Sequence, residues 1–391
     1  MLKKWTLSSL ITAVCLLSIS VSQAQKLIPA APELAAKAWI LIDATTGQVL
    51  TESNADLQLP PASLAKMMTT YIVSNEIEAE RLDENTEVLI SDNAWELGGA
   101  KTDGSTMFLS PRSRVSVVDL MHGVIIQSGN DAAIALAEHI SGSESAFVET
   151  MNSQAAMLGM KDTRYMNATG LPAEGMVSTA RDLSLISRSI ILDHPNYYSI
   201  YAKKYFKHNN INQPNRNRLL WRDSSVDGLK TGHTNAAGYC LVASAKRNDM
   251  RLISVVLGAD NDSSRARESQ KLLSYGFRHF DTKTLYSAGD LVKSSTKVWY
   301  GAEEFLNLTV ADDVTLTFPR GAQKKLAANI LIDEQIEAPV QLGQELGRLQ
   351  ISLNNEVLID LPLVAEKSIE ESGFISRFFD WIVLFFTKII S

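Results

Sequence analysis

Hydrophobic residues follow two periods along this chain, and the switches between them outline its architecture. Ala38-Trp39-Ile40-Leu41-Ile42 and Gln48-Val49-Leu50, separated by the polar turn Asp43 to Gly47, predict a strand, a turn and a strand. Pro60-Pro61 ends the extended stretch, and Ser63-Leu64-Ala65-Lys66-Met67-Met68 opens a helix of good helix formers. Apolar spacing predicts helices over Val115 to Ile126, Ala132 to Ile140 and Ala146 to Leu158, with another beginning at Thr179 to Asp182. Strands return near residue 228, where Tyr239 to Ala245 and Arg251 to Gly258 flank the polar turn Lys246 to Asp249 as a hairpin. A helix from Arg265 to Phe280 closes the unit. The expected class is α+β, helices packed on a mainly antiparallel sheet.

Beyond about residue 285 the pattern changes to short β-type runs: Val292 to Tyr300, Leu306 to Val310, Val314 to Phe318, Ala327 to Ile332, Leu349 to Leu353 and Val357 to Leu361. They predict a small all-β unit over 286–366, after a first unit over 25–285. The last segment, 367–391, carries an amphipathic helix. On a helical wheel, Gly373, Ser376, Arg377, Asp380, Thr387, Lys388 and Ser391 share an arc of roughly 120°, with Leu384 the one apolar intruder. As a helix, residues 374–391 span about 27 Å, just under the hydrocarbon thickness of a bilayer. Lying in a membrane interface is the expectation, and docking on the chain's own β unit is the alternative.

At 391 residues, with 45% hydrophobic and 21% charged residues, the chain has the balance of a globular protein. A formal net charge of -7 without a basic stripe argues against nucleic acid as a partner. Lys3 and Lys4 precede an apolar stretch from Leu7 to Val21, and Ser22-Gln23-Ala24 suits cleavage after Ala24. Residues 1–24 therefore read as a secretory signal, a retained anchor being the alternative. Cys15 falls in that segment, which leaves Cys240 alone and without an internal disulfide; it reads as a buried strand residue. None of the six histidines forms a metal pattern, and His122 and His139 read as helix residues, so neither a metal nor an organic cofactor is implied.

Chemistry concentrates at three places. Ser63 and Lys66 stand three apart at a helix start, which puts both side chains on one face beside the unpaired N–H groups of the first turn. A lysine held neutral by burial or neighbouring cations can take the proton from such a serine. Ser128-Gly129-Asn130 sits in a break between two predicted helices, where the glycine would let the backbone turn and present a hydroxyl and an amide together. Lys230-Thr231-Gly232 follows Asp227-Gly228 and precedes a strand-like stretch, an edge to which an extended peptide can add. A second pair with the first spacing, Ser294 and Lys297, reads as surface residues on a strand.

These elements occur in the order of the active-serine penicillin-recognising enzymes. The stretch from Val226 to Thr234, the following Ala-Gly-Tyr, and Gln127-Ser128-Gly129-Asn130-Asp131 resemble the low-molecular-mass penicillin-binding proteins of type 5 and 6, serine D-alanyl-D-alanine carboxypeptidases. The similarity runs from about residue 30 to the end. It implies a transpeptidase/β-lactamase-like domain, a peptidoglycan pentapeptide as substrate, covalent capture of β-lactams, and a periplasmic enzyme held on the inner membrane by its terminal helix. It further implies Ser63 as nucleophile, Lys66 as its base, and Ser128, linked to Lys66 and Lys230, as proton relay. Asn130 would hold the substrate amide, and the N–H groups of Ser63 and His233 would form the oxyanion hole. Lys230, Thr231 and Arg265 would receive the terminal carboxylate, with Gly232 between them and His233.

Other readings stay open at this point. A β-lactamase would use the same Ser63 and Lys66, but Tyr165 to Leu171 has no Glu-x-x-Leu-Asn sequence, and Glu174 lies outside that pattern. Cleavage of peptide cross-links, or an idle scaffold that recruits partners through the β unit, are the remaining alternatives.

Overall fold

The computed structural model describes residues 28–390 apart from Ala100, Lys101, Asp103 and Glu334, with the backbone alone at 388–390. The predicted leader at 1–24 lies outside the described residues. Strands β1 (Ala38–Asp43) and β2 (Val49–Ser53) pair antiparallel through the predicted turn. The chain then passes through a short 3-10 turn, Ala62–Ala65, into helix α1 (Lys66–Glu78). Helices α2 (Asn130–Ser141) and α3 (Ala180–Asp193) follow, the latter capped by the Thr179 hydroxyl accepting from Asp182 N. Strands β3 (Val226–Thr234), β4 (Gly238–Arg247) and β5 (Met250–Ala259) complete a five-stranded antiparallel sheet in the order β2-β1-β5-β4-β3.

Alternation along β1 explains how this sheet is buried on both faces. Ile40 and Ile42 join Val242 and Val255 in the core shared with α1 to α3. Trp39 and Leu41 point the other way, onto Leu272, Leu273 and Phe277 of helix α4 (Asp262–His279). That last helix starts three residues before the predicted Arg265. Asn261 accepts from Ser264 N at 2.8 Å and caps it, so the polar run before Arg265 is the cap and first turn.

All six predicted β runs after residue 285 become strands. Five of the strands form one sheet, in the order Leu291–Lys297, Phe305–Thr309, Glu356–Ala365, Glu345–Leu353, Leu326–Ile332. The strand Phe280–Tyr286 leaves α4 directly and pairs with Val314–Pro319. Asp43 stitches the two units together: one carboxylate oxygen accepts from Thr45 N and Thr46 N, the other from the Thr282 hydroxyl at 2.6 Å.

The terminal helix α5 (Phe374–Ile390) touches the β unit through its polar arc. Asp380 accepts from Tyr300 N at 2.8 Å, Arg377 pairs with Glu371, and Leu384, the intruder on that arc, is buried. Ile375, Phe379, Val383 and Phe386 are exposed on the opposite side. No helix among the described residues is long and apolar enough to cross a membrane.

Candidate active site

Ser63 lies in the 3-10 turn ahead of α1, where the chain is held in an unusual shape. Ala62 has φ +50°, a left-handed conformation that costs a non-glycine residue about 1 kcal/mol or more. Gly170 backs it: a Cβ there would stand 1.8 Å from the Ala62 carbonyl oxygen. One turn on, Lys66 Nζ stands 3.3 Å from Ser63 Oγ and donates to Asn130 Oδ1 at 2.7 Å and to Thr169 O at 2.5 Å. Lys66 is 1% exposed. Burial lowers its pKa to about 7, with the Arg216 charge helping and Asp131 and Glu144 opposing.

Ser128 follows a π-helical turn, Gly123–Gln127, and precedes α2. Here the serine itself, at φ +62°, makes the left-handed turn expected of Gly129. Gly129 is needed for space instead, since a Cβ on it would sit 2.9 Å from an Asp131 oxygen and 3.0 Å from Met107 N. The Asp131 carboxylate accepts from Met107 N, Leu109 N and the Thr106 hydroxyl, which fastens the segment 104–109 to the start of α2.

Lys230, Thr231 and Gly232 lie inside β3 rather than ahead of a strand. β3 is the sheet's edge, so one side of its backbone is unpaired by other strands. Lys230 Nζ donates to Ser128 Oγ at 2.9 Å and to Thr231 O at 3.0 Å. Its pKa is held well below the ordinary lysine range by burial and then by the charges of Lys66, Arg216 and Arg265. Of the two links expected of Ser128, the structure shows the one to Lys230, whereas Lys66 bonds Asn130 instead of Ser128. Arg265, in the first turn of α4, donates to Gly232 O and Cys240 O and pairs with Asp262. The exposed His233 ring lies tilted against Tyr239, with centroids 4.0 Å apart and ring planes 33° apart.

A cleft of about 230 Å³ brings most of these groups together. Ser63, Ser128 and Asn130 line it with Thr231, Gly232, His233 and Arg265, and both lysines meet its hydroxyls from behind. The cleft adds residues that motif reading missed. Arg216 lines it and makes one hydrogen bond among the described residues, from Nε to Gln127 O at 3.2 Å. It follows a hairpin, Tyr205–His208 with Ile211–Pro214, whose turn residues Asn209 and Asn210 have φ +46° and +61°. Two adjacent asparagines between strand-like runs were the available signal. No group of three or more potential metal ligands occurs among the described residues. Cys240 is buried, and burial pushes its thiol up to about 11. Ser294 and Lys297 lie on the strand Leu291–Lys297, with the Lys297 ammonium 5.2 Å from the Trp299 ring centroid.

A serine at a helix start, a buried lysine one turn on, and a second serine held by a lysine on a sheet edge define an active-serine hydrolase of the penicillin-recognising class. Comparison with known proteins narrows this. The family model "D-alanyl-D-alanine carboxypeptidase", peptidase S11, matches residues 25–261, and "Penicillin-binding protein 5, C-terminal domain" matches 280–371. The chain is 45% identical to D-alanyl-D-alanine carboxypeptidase DacC of Escherichia coli (strain K12), covering 91% of this chain and 90% of that one. With DacA of the same strain it shares 43% identity over 97% and 96%. Penicillin binding protein 5 from Haemophilus influenzae superposes with TM-score 0.82 at 40% identity, covering 88% of this chain and all of that one. The chain belongs to the S11 family of D-alanyl-D-alanine carboxypeptidases and is a serine hydrolase.

Proposed function

We propose that Ser63 attacks the carbonyl between two terminal D-alanines of a peptidoglycan pentapeptide, with neutral Lys66 taking its proton. The observation that carries this is the Lys66 amine: buried, lowered to about 7, and 3.3 Å from the Ser63 hydroxyl. The substrate adds along the edge of β3. The N–H groups of Ser63 and His233 face the developing oxyanion, where one such donor is typically worth about 3 kcal/mol. Ser128, polarised by Lys230, passes a proton to the leaving D-alanine, and Asn130 holds the substrate amide. Thr231, Lys230 and Arg265 form the carboxylate end, and Arg216, less committed to other partners than Arg265, joins them. Water then hydrolyses the acyl-enzyme.

A β-lactam acylates Ser63 in the same way and leaves slowly. Thr169 meets Lys66 with a backbone carbonyl, and the 165–171 loop presents no carboxylate to activate water. Residues 1–24 direct export to the periplasm, residues 25–285 form the catalytic unit, and 286–366 carry the helix of 367–391, whose exposed aromatic face seats on the outer leaflet of the inner membrane. The test is labelling with a fluorescent penicillin beside D-alanine release from a pentapeptide, each with Ser63→Ala. A lasting adduct on Ser63 and release by the unaltered enzyme alone are expected. Labelling that survives Ser63→Ala overturns the assignment, and digestion of cross-linked dimers without D-alanine release makes the chain an endopeptidase instead.

A further inference from the structure

A groove of about 390 Å³ lies between helix α5 and the β unit, away from the catalytic cleft. Trp299 bridges to Glu337 and Gly301 to Glu371, so these two acidic residues reach the groove from either side of Tyr300. Helix α5 supplies the other wall with Phe374, Arg377, Phe378 and Trp381. The Phe378 and Trp381 rings stack, with centroids 6.2 Å and planes 20° apart. Arg377 donates to Glu371 through Nη1, and Glu337 accepts from Gln335 at Oε1. Glu337 Oε2 and the other guanidinium N–H groups of Arg377 make no hydrogen bond among the described residues.

The helix decides where this groove opens. Successive residues turn by about 100°, so Phe374, Phe378, Trp381 and Phe385 form one exposed stripe. It runs about a quarter turn from the outward face of Ile375, Phe379, Val383 and Phe386. With that face among acyl chains, the stripe and the groove lie level with the lipid headgroups, the depth that tryptophan favours. Two carboxylates against one guanidinium leave the groove with an excess of negative charge. An anionic headgroup finds there only an arginine that is already paired. A zwitterion sets its phosphate on the free edge of Arg377 and its cation on Glu337, beside the Tyr300 and Trp381 rings. A primary ammonium also donates N–H groups to the carboxylate, which a trimethylammonium does not. We infer that this groove binds the phosphoethanolamine headgroup of a membrane lipid, phosphate on Arg377 and ammonium on Glu337. The site rests on the membrane seating proposed above and adds lipid selectivity to it.

The test measures partitioning of the full chain by co-sedimentation with three kinds of vesicle: phosphatidylcholine alone, or with part of it replaced by phosphatidylethanolamine or by phosphatidylglycerol. An exposed charge pair contributes little, so the ethanolamine vesicles should bind about fivefold tighter than phosphatidylcholine alone. Phosphatidylglycerol should give no such gain. Glu337→Gln keeps the side-chain shape, removes the charge, and should bring the ethanolamine-to-choline ratio to one. A ratio of one in the unaltered chain overturns the groove, and so does a preference that Glu337→Gln leaves in place, which lipid packing alone then explains. Tighter binding to phosphatidylglycerol than to phosphatidylethanolamine overturns it as well. Equal binding to all three vesicles removes the groove and keeps the membrane seating, whereas binding to none removes both.

Discussion

Lys66 donates to Asn130 Oδ1 at 2.7 Å, closer than its 3.3 Å approach to Ser63 Oγ. A neutral amine has two N–H donors and one lone pair. Asn130 Oδ1 and Thr169 O accept two hydrogens, and the remaining direction, toward Ser63, is then the lone pair. Burial brings the neutral state within reach near pH 7, and the two acceptors supply the aim. Asn130 therefore orients the Lys66 amine as well as lining the cleft.

The pH dependence of acylation follows. Lys66 works as a base only when unprotonated, and its pKa is lowered to about 7. The rate constant for benzylpenicillin acylation should rise about tenfold per pH unit below 7 and flatten above it. A stopped-flow profile between pH 5 and 9 measures this. A flat profile contradicts Lys66 as the base, and Lys66→Arg, fixed in its charge, should lose at least about a thousandfold.

Gly170 should tolerate no side chain. Its φ of +79° and the 1.8 Å approach of a built Cβ to Ala62 O mean that Gly170→Ala pushes the turn carrying Ser63. Acylation should slow more than tenfold, with a lower Tm in calorimetry. Gly175, also at positive φ but with open space around it, is the control: Gly175→Ala should leave acylation near its normal rate.

Asp131 should matter to stability although it does not line the cleft. Asp131→Ala strands the N–H groups of Met107 and Leu109 in the interior and should cost about 3 kcal/mol or more in urea unfolding. A loss below about 1 kcal/mol would show that water replaces the carboxylate.

The terminal helix should bind vesicles by the face turned away from the β unit. Phe379→Ser with Phe386→Ser removes two exposed aromatics and should weaken partitioning at least a hundredfold, read by Trp381 fluorescence. Leu384→Ser, on the docked face, should loosen the helix from its own domain with little effect on partitioning.

Much of this was legible in the chain itself because the signals are local. The hairpin of β4 and β5 follows from two apolar runs around a four-residue polar turn. Ser63 and Lys66 share one face because three residues make about one turn whether the turn is 3-10 or α-helical. The amphipathic period of the last helix shows in its sequence, down to Leu384 as an exception whose purpose the packing explains. Local signals misled where one residue's preference competed with another's. The helix predicted from Arg265 starts three residues earlier because Asn261 to Ser264 are residue types that serve both caps and loops. Gly129 was expected to make the left-handed turn because glycine does so at no cost, yet Ser128 makes it.

Only the tertiary structure decided which hydroxyl meets which amine. Sequence order puts Ser63, Ser128 and Lys230 in separate elements, and no propensity links residues a hundred positions apart. Packing α1 and α2 on the sheet sends Lys66 to Asn130 and Lys230 to Ser128, and it removes both ammonium groups from water. Arg216 belongs to the cleft for the same reason: its surroundings come from loops and strands distant in the chain. Chemical identity is written residue by residue, whereas burial, and the proton affinity that follows from it, belongs to the assembled fold.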